Sequence, residues 1–97
     1  MQTYIGLANW TDHGIQEIKN SPQRLDSAKA VAKQFDGDIL HFYMTMGKCD
    51  MVVISEFPND AAAAKFVLHL SKGGAVRMKT LKAFTEAEYR EIMSALG

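Results

Sequence analysis

The stretch 40–57, LHFYMTMGKCDMVVISEF, constrains this chain more than any other. Apolar, β-branched and aromatic residues lie on both sides of a single glycine, Gly47. That pattern predicts two antiparallel strands with a tight connection at Met46-Gly47-Lys48. The second strand is apolar on both parities, with Met51 and Val53 alternating with Val52 and Ile54. Successive side chains of a strand point to opposite faces, so such a strand belongs inside a sheet whose two faces are both at least partly buried. The first strand reads in much the same way. A fold for this chain has to supply two covers.

The flanking segments predict the rest of the sheet and one of the covers. Thr3 to Asn9 is short, apolar and β-leaning, and predicts a first strand. Thr11-Asp12 offers a helix cap before a short first helix over Gly14 to Asn20. Ser21-Pro22 reads as a second helix start, with serine as the cap and proline where its missing N–H costs nothing. Leu25, Ala28, Val31, Ala32 and Phe35 then recur at helical spacing until Asp36-Gly37-Asp38 stops the helix. After the hairpin, Pro58-Asn59-Asp60 caps a helix running to about Leu70, whose small Ala61–Ala64 run allows close approach to a sheet. Ser71-Lys72-Gly73-Gly74 is a loop, and the alternation in Ala75 to Phe84 predicts a fourth strand. Thr85 and Glu88 have capping-box spacing ahead of a last helix with the stripe Tyr89, Ile92, Met93 and Leu96.

The order β-α-β-β-α-β-α implies an α+β fold: a ferredoxin-like βαββαβ unit with a four-stranded antiparallel sheet and an extra C-terminal helix. Residues 1–97 form one domain, since 97 residues supply one core. Two helices cover one face of a four-stranded sheet, and the last helix is too short to cover the other. A second copy of the chain, packed sheet to sheet, is the simplest cover, so a homodimer or larger homo-oligomer is expected. The net charge of zero removes the footprint of a nucleic-acid binder and gives little protection against self-association. No apolar run is long enough to span a bilayer, and Met1-Gln2-Thr3-Tyr4 lacks the features of a signal peptide. With one cysteine there is no internal disulfide, and a cytoplasmic setting is the expectation.

Several side chains are candidates for chemistry. Asp50 is either a carboxylate at a pocket rim, acting as base or acceptor, or a turn aspartate bonded to nearby backbone N–H groups. His41 and Tyr43 share parity, so they form either the polar points of an enclosed pocket or a solvent-facing row opposite Leu40, Phe42 and Met44. Cys49 beside Lys48 is a possible reactive thiol or a small buried hydrophobe. Trp10 is a candidate pocket wall or a plug at the core end. Arg77, which shares parity with Lys79, either binds an anion or edges the sheet with solvated charge. His13 and His69 fall on helices and are expected at the surface. Met44, Met46, Met51, Met78 and Met93 with Cys49 and His41 raise a soft-metal site, yet no pair has ligand spacing, so no metal is expected. No phosphate loop, dinucleotide fingerprint or serine-hydrolase elbow is present, and no cofactor is expected.

Several segments together resemble the GYD-domain family. They are Tyr4-Ile5-Gly6-Leu7-Ala8-Asn9-Trp10-Thr11-Asp12, Ser21-Pro22-Gln23-Arg24-Leu25, Phe42-Tyr43-Met44-Thr45-Met46-Gly47 and Phe84-Thr85-Glu86-Ala87-Glu88-Tyr89. The resemblance covers nearly the whole chain. The family signature of glycine, tyrosine and aspartate falls on Gly47-Lys48-Cys49-Asp50, where Cys49 stands in the tyrosine position. The resemblance implies the dimeric α+β barrel arrangement, in which two ferredoxin-like sheets face each other around a pocket. Relatives of that fold include small monooxygenases, isomerases, haem-binding enzymes and ligand-sensing domains, so it leaves the activity open.

The first expectation for function is a homo-oligomeric small-molecule-binding domain. Its pocket would lie between paired sheets, lined by Trp10, His41, Tyr43, Cys49, Asp50 and Arg77. The alternatives are a cofactor-independent monooxygenase- or isomerase-like enzyme using Asp50 or His41 as base with Tyr43 as orienter, and a structural or regulatory assembly module without a pocket.

Overall fold

The computed structural model describes all of residues 1–97. Four antiparallel strands form one sheet in the order β2-β3-β1-β4: β1 (Gln2–Trp10), β2 (Asp38–Met44), β3 (Met51–Phe57) and β4 (Val76–Ala83). The helices are α1 (Asp12–Gln16), α2 (Ser21–Gln34), α3 (Asp60–Lys72) and α4 (Glu86–Ala95), with a 3₁₀ turn at Ile18–Asn20. This is the expected ferredoxin-like order with the additional last helix, and the strand apolar on both parities, β3, is central.

Local chemistry sets the helix starts. The Thr11 hydroxyl accepts from the Gly14 N–H at 3.1 Å, and Asn59 Oδ1 accepts from the Ala62 N–H at 2.8 Å. The Thr85–Glu88 capping box forms in full, with both bonds made. The Thr85 N–H donated to Glu88 holds that carboxyl below its usual range. The start of α2 differs from the sequence reading by one residue. The 3₁₀ turn runs straight into the helix, so Asn20 occupies the cap position in an αR conformation and Ser21 is already helical. The single first helix expected over 14–20 is likewise split into α1 and that turn.

α2 and α3 cover one face of the sheet. At one end of this layer Tyr4, Ala32, Phe57, Ala63 and Phe66 form the tight core. The Phe57 and Phe66 rings lie 4.9 Å apart, and both side chains are fully buried. Ala32 on α2 and Ala63 on α3 lack the bulk to hold the helices off these rings. The entry into β2 is equally close. A side chain at Gly37 would meet the Phe57 ring at 2.3 Å and the Glu56 carbonyl at 2.4 Å, so only glycine passes. Tyr4 donates its hydroxyl to Asp60 Oδ1 at 2.6 Å, and Lys82 Nζ lies 3.2 Å from the same oxygen. Burial, and then the adjacent carboxylate, push the Tyr4 phenol up to about 12. The Tyr4 and Lys82 bonds hold Asp60 below its usual range.

β2 carries a bulge. Ile39 pairs with Ser55 and His41 with Ile54, leaving Leu40 as the extra residue. Ile39 and Phe42 therefore face the helices, while His41 and Tyr43 face away. The alternation expected to put Leu40 in the core row is interrupted there, and Leu40 is exposed. α4 makes no substantial packing contact with any other element. The molecule extends 53 Å in its longest direction and 17 Å in its shortest. Phe84, Tyr89, Ile92, Met93 and Leu96 remain exposed along the projecting segment.

Candidate functional site

The face of the sheet opposite α2 and α3 is built from two cross-strand rows. The pairing register aligns His41-Ile54-Ile5-Leu81 and Tyr43-Val52-Leu7-Lys79, each running from β2 through β3 and β1 to β4. Their centre is apolar and half-buried. Their ends differ in kind. On the β2 edge the His41 and Tyr43 rings stack with centroids 6.4 Å apart and planes at 19°. On the β4 edge stand Lys79 and, beside Asn9, Arg77. Tyr43 is 57 % exposed and Leu81 is 50 % exposed, so nothing in the chain itself roofs this face.

The six candidate pocket residues do not meet at one point. His41 and Tyr43 are together on one edge strand, whereas Arg77 is on the other, three strand spacings or about 14 Å away. Trp10 pairs with Val76, the parity that faces the helices. Trp10 and Arg77 nevertheless both border an open groove at the end of β1 and β4, with Asn9, Asp12 and Lys79. Cys49 is half-buried in the β2–β3 connection, where the Thr45 hydroxyl donates to its carbonyl at 2.6 Å.

Asp50 fastens that connection to β1. Its Oδ2 accepts from the Trp10 N–H at 3.0 Å. Its own N–H donates to the Ala8 carbonyl and to Asn9 Oδ1. The connection is longer than a tight turn, six residues from Thr45 to Asp50, and Gly47 takes a φ of 128° that a side chain would resist. In the chain's own geometry, the glycine and aspartate of the Gly47–Asp50 segment shape and anchor a loop.

A second concavity lies on the helix side. Beyond the tight core, a cavity of about 240 Å³ remains between α2, α3 and the sheet. Its walls include Trp10, Leu25, Ala28, Phe42, Phe66 and Met78. Arg24 borders it, with two of its guanidinium nitrogens bonded to the Glu17 and Gly14 carbonyls. His69 also forms part of the wall. Both of its ring nitrogens are sealed from solvent and have no hydrogen-bond partner in the chain. One edge of the ring packs against Phe35, centroids 6.2 Å apart. An unmet buried polar group of this kind costs about 1–3 kcal/mol. The expectation that His69 lies at the surface is thus corrected. The spacing Ala62, Phe66, His69 puts it on the inward stripe of α3, and that spacing was the available signal. The methionines do not gather: Met46 and Met93 are exposed, and Met51 is buried. No three His, Cys, Asp or Glu side chains cluster closely enough to hold a metal.

The GYD domain profile matches residues 4–93. The chain belongs to the GYD domain family. A Thermus thermophilus protein named glutamine synthetase and cystathionine beta-lyase binding protein is 29 % identical over 89 residues, which cover 91 % of this GYD domain and 94 % of that protein. The fold is similar to the crystal structure of the leucine response regulatory protein of Mycobacterium tuberculosis, with a TM-score of 0.57 at 13 % identity over 87 % of this chain. This chain spans 51 % of that longer one. A solved structure of another Thermus thermophilus protein gives a TM-score of 0.55 at 20 % identity, covering 88 % of this chain and 95 % of that one. These likenesses establish the ferredoxin-like fold. No helix of the GYD domain is long and apolar enough to cross a membrane.

Proposed function

We propose that this GYD domain is a homodimeric binding module whose two copies meet through the open faces of their sheets. The observation that carries the reading is the pair of apolar rows through Ile54-Ile5 and Val52-Leu7, left bare by the chain's own helices. A two-fold axis along the strands reverses each row in the partner. It brings the cationic β4 edge of one copy over the aromatic β2 edge of the other, an attractive pairing that each copy offers once and receives once. The exposed apolar stripe of α4 extends the surface available to the same partner.

In this reading the chamber between the sheets takes a small organic molecule, with His41, Tyr43 and Arg77 as its polar points. The outer surfaces of the dimer engage other proteins. The name of the Thermus relative, a binding protein for two enzymes, supports a binding role over a catalytic one. So does the engagement of the Asp50 carboxylate with the Trp10 amide, which leaves it poorly placed as a base.

Size-exclusion chromatography with light scattering tests the reading. A dimer is expected at micromolar concentration. Ile54→Asp, which would bury an unpaired charge in the interface, is expected to give a monomer with unchanged circular dichroism. A monomeric unmodified chain under the same conditions would overturn the proposal.

A further inference from the structure

The cavity between α2, α3 and the sheet is separate from the open sheet face and lies wholly within one copy. Its volume of about 240 Å³ exceeds the voids of a well-packed interior. A cavity of about 150 Å³ with apolar walls binds benzene, so this one has room for a ring with a substituent. Its walls are largely apolar, and three of them are the rings of Trp10, Phe42 and Phe66. A single water there would find too few polar partners to be held.

His69 supplies the one unmet polar demand. Its imidazole is shut off from solvent, unbonded, and beside open space. Turning about its side-chain torsions brings a ring nitrogen to the cavity, and a ligand able to bond it relieves the deficit. In either neutral tautomer one nitrogen donates and the other accepts. A hydroxyl meets both cases, because it donates and accepts. A neutral head also avoids burying a charge, and Arg24, the only charged residue on the wall, is already tied to two backbone carbonyls.

We infer that this cavity is a binding site for a small aromatic alcohol, its ring among Trp10, Phe42 and Phe66 and its hydroxyl bonded to His69. Trp10 is the sole tryptophan, so its indole N–H gives one unambiguous NMR signal on the cavity wall.

Titration of the full chain with phenol, and in parallel with benzene, followed by ¹H–¹⁵N correlation spectra, tests the site. Phenol is expected to move the Trp10 indole signal and the Ala28 and Ala75 amides saturably, and to bind about tenfold more tightly than benzene. His69→Phe keeps the ring volume and removes the nitrogens. It is expected to bring phenol down to the benzene level while leaving benzene binding intact. Ile54→Asp is expected to bind phenol as the unmodified chain does, which separates this site from the proposed dimer chamber. The assignment is overturned if no saturable shift occurs up to the solubility limit of phenol. It is overturned equally if the shifts fall on the open sheet face, if His69→Phe retains the preference for phenol, or if Ile54→Asp abolishes binding.

Discussion

β3 presents two faces that are both apolar and yet finished in opposite ways. On one side Met51, Val53 and Phe57 are buried by the chain's own helices. On the other, Val52 and Ile54 are only half-buried, screened by neighbouring side chains of the sheet. The difference shows that apolar alternation in a strand records where cover is required, without specifying which chain supplies it. On the helix side the cover is intramolecular, and its cost and gain appear in the stability of one copy. On the open side they would appear in association.

The largest expected effect separates the two faces directly. Phe57→Ala removes a fully buried ring and is expected to cost about 3–5 kcal/mol in urea unfolding. Ile54→Ala, on the other face of the same strand, is expected to cost well under half as much when measured in dilute solution where the chain is monomeric. Equal losses would show that the open face is part of the monomer core and would break the comparison.

A smaller pair of effects divides the helix side into its tight and hollow ends. Ala32 is completely buried against the aromatic core, and Ala28, one turn earlier on α2, lines the cavity. Ala32→Leu is expected to destabilise by about 1–3 kcal/mol through overpacking. Ala28→Leu is expected to stabilise by about 0.5–2 kcal/mol by filling space. Thermal melts of the two variants should move in opposite directions. Movement in the same direction would mean that the layer is packed alike along its length.

The smallest effect is a dependence on alkaline pH at the tight end. The Tyr4 phenol is held protonated to about 12 in the folded chain, against 10.0 for the free side chain. Below pH 10 both states keep the proton and the contribution to stability is whole. Above it the unfolded chain ionises first, so stability falls as pH rises from about 10 through about 12. Tyr4→Phe should flatten that part of the urea-midpoint profile while keeping the packing of the ring. The Asp60 carboxyl adds the opposite dependence in acid, because its depressed pKa means that stability is lost as pH falls through the carboxylate range.

Most of the fold was legible because it rests on local patterns. The helix stripes, the Asn59 and Thr85 caps, and the two-sided strand each have one inexpensive structural solution. The misjudged positions are those where one register step or a long-range contact decides. Leu40 reads as core by strict alternation, and only the bulge turns it outward. His69 reads as a surface residue by type, and its inward position depends on which stripe of α3 meets the sheet. The candidate site was legible in part. His41 and Tyr43 do share a face, whereas the separation of Arg77 from them follows from a strand order that sequence spacing does not encode.

The spare residue at Leu40 has a consequence for how this sequence can change over time. A one-residue deletion in a strand normally exchanges inside for outside along everything beyond it. Here the loss of Leu40 would leave Ile39 and Phe42 toward the helices and His41 and Tyr43 toward the open side. The same loss at Phe42 would turn the remainder of the strand over. The GYD domain therefore holds, within seven residues, one codon it can discard and a neighbouring one it cannot.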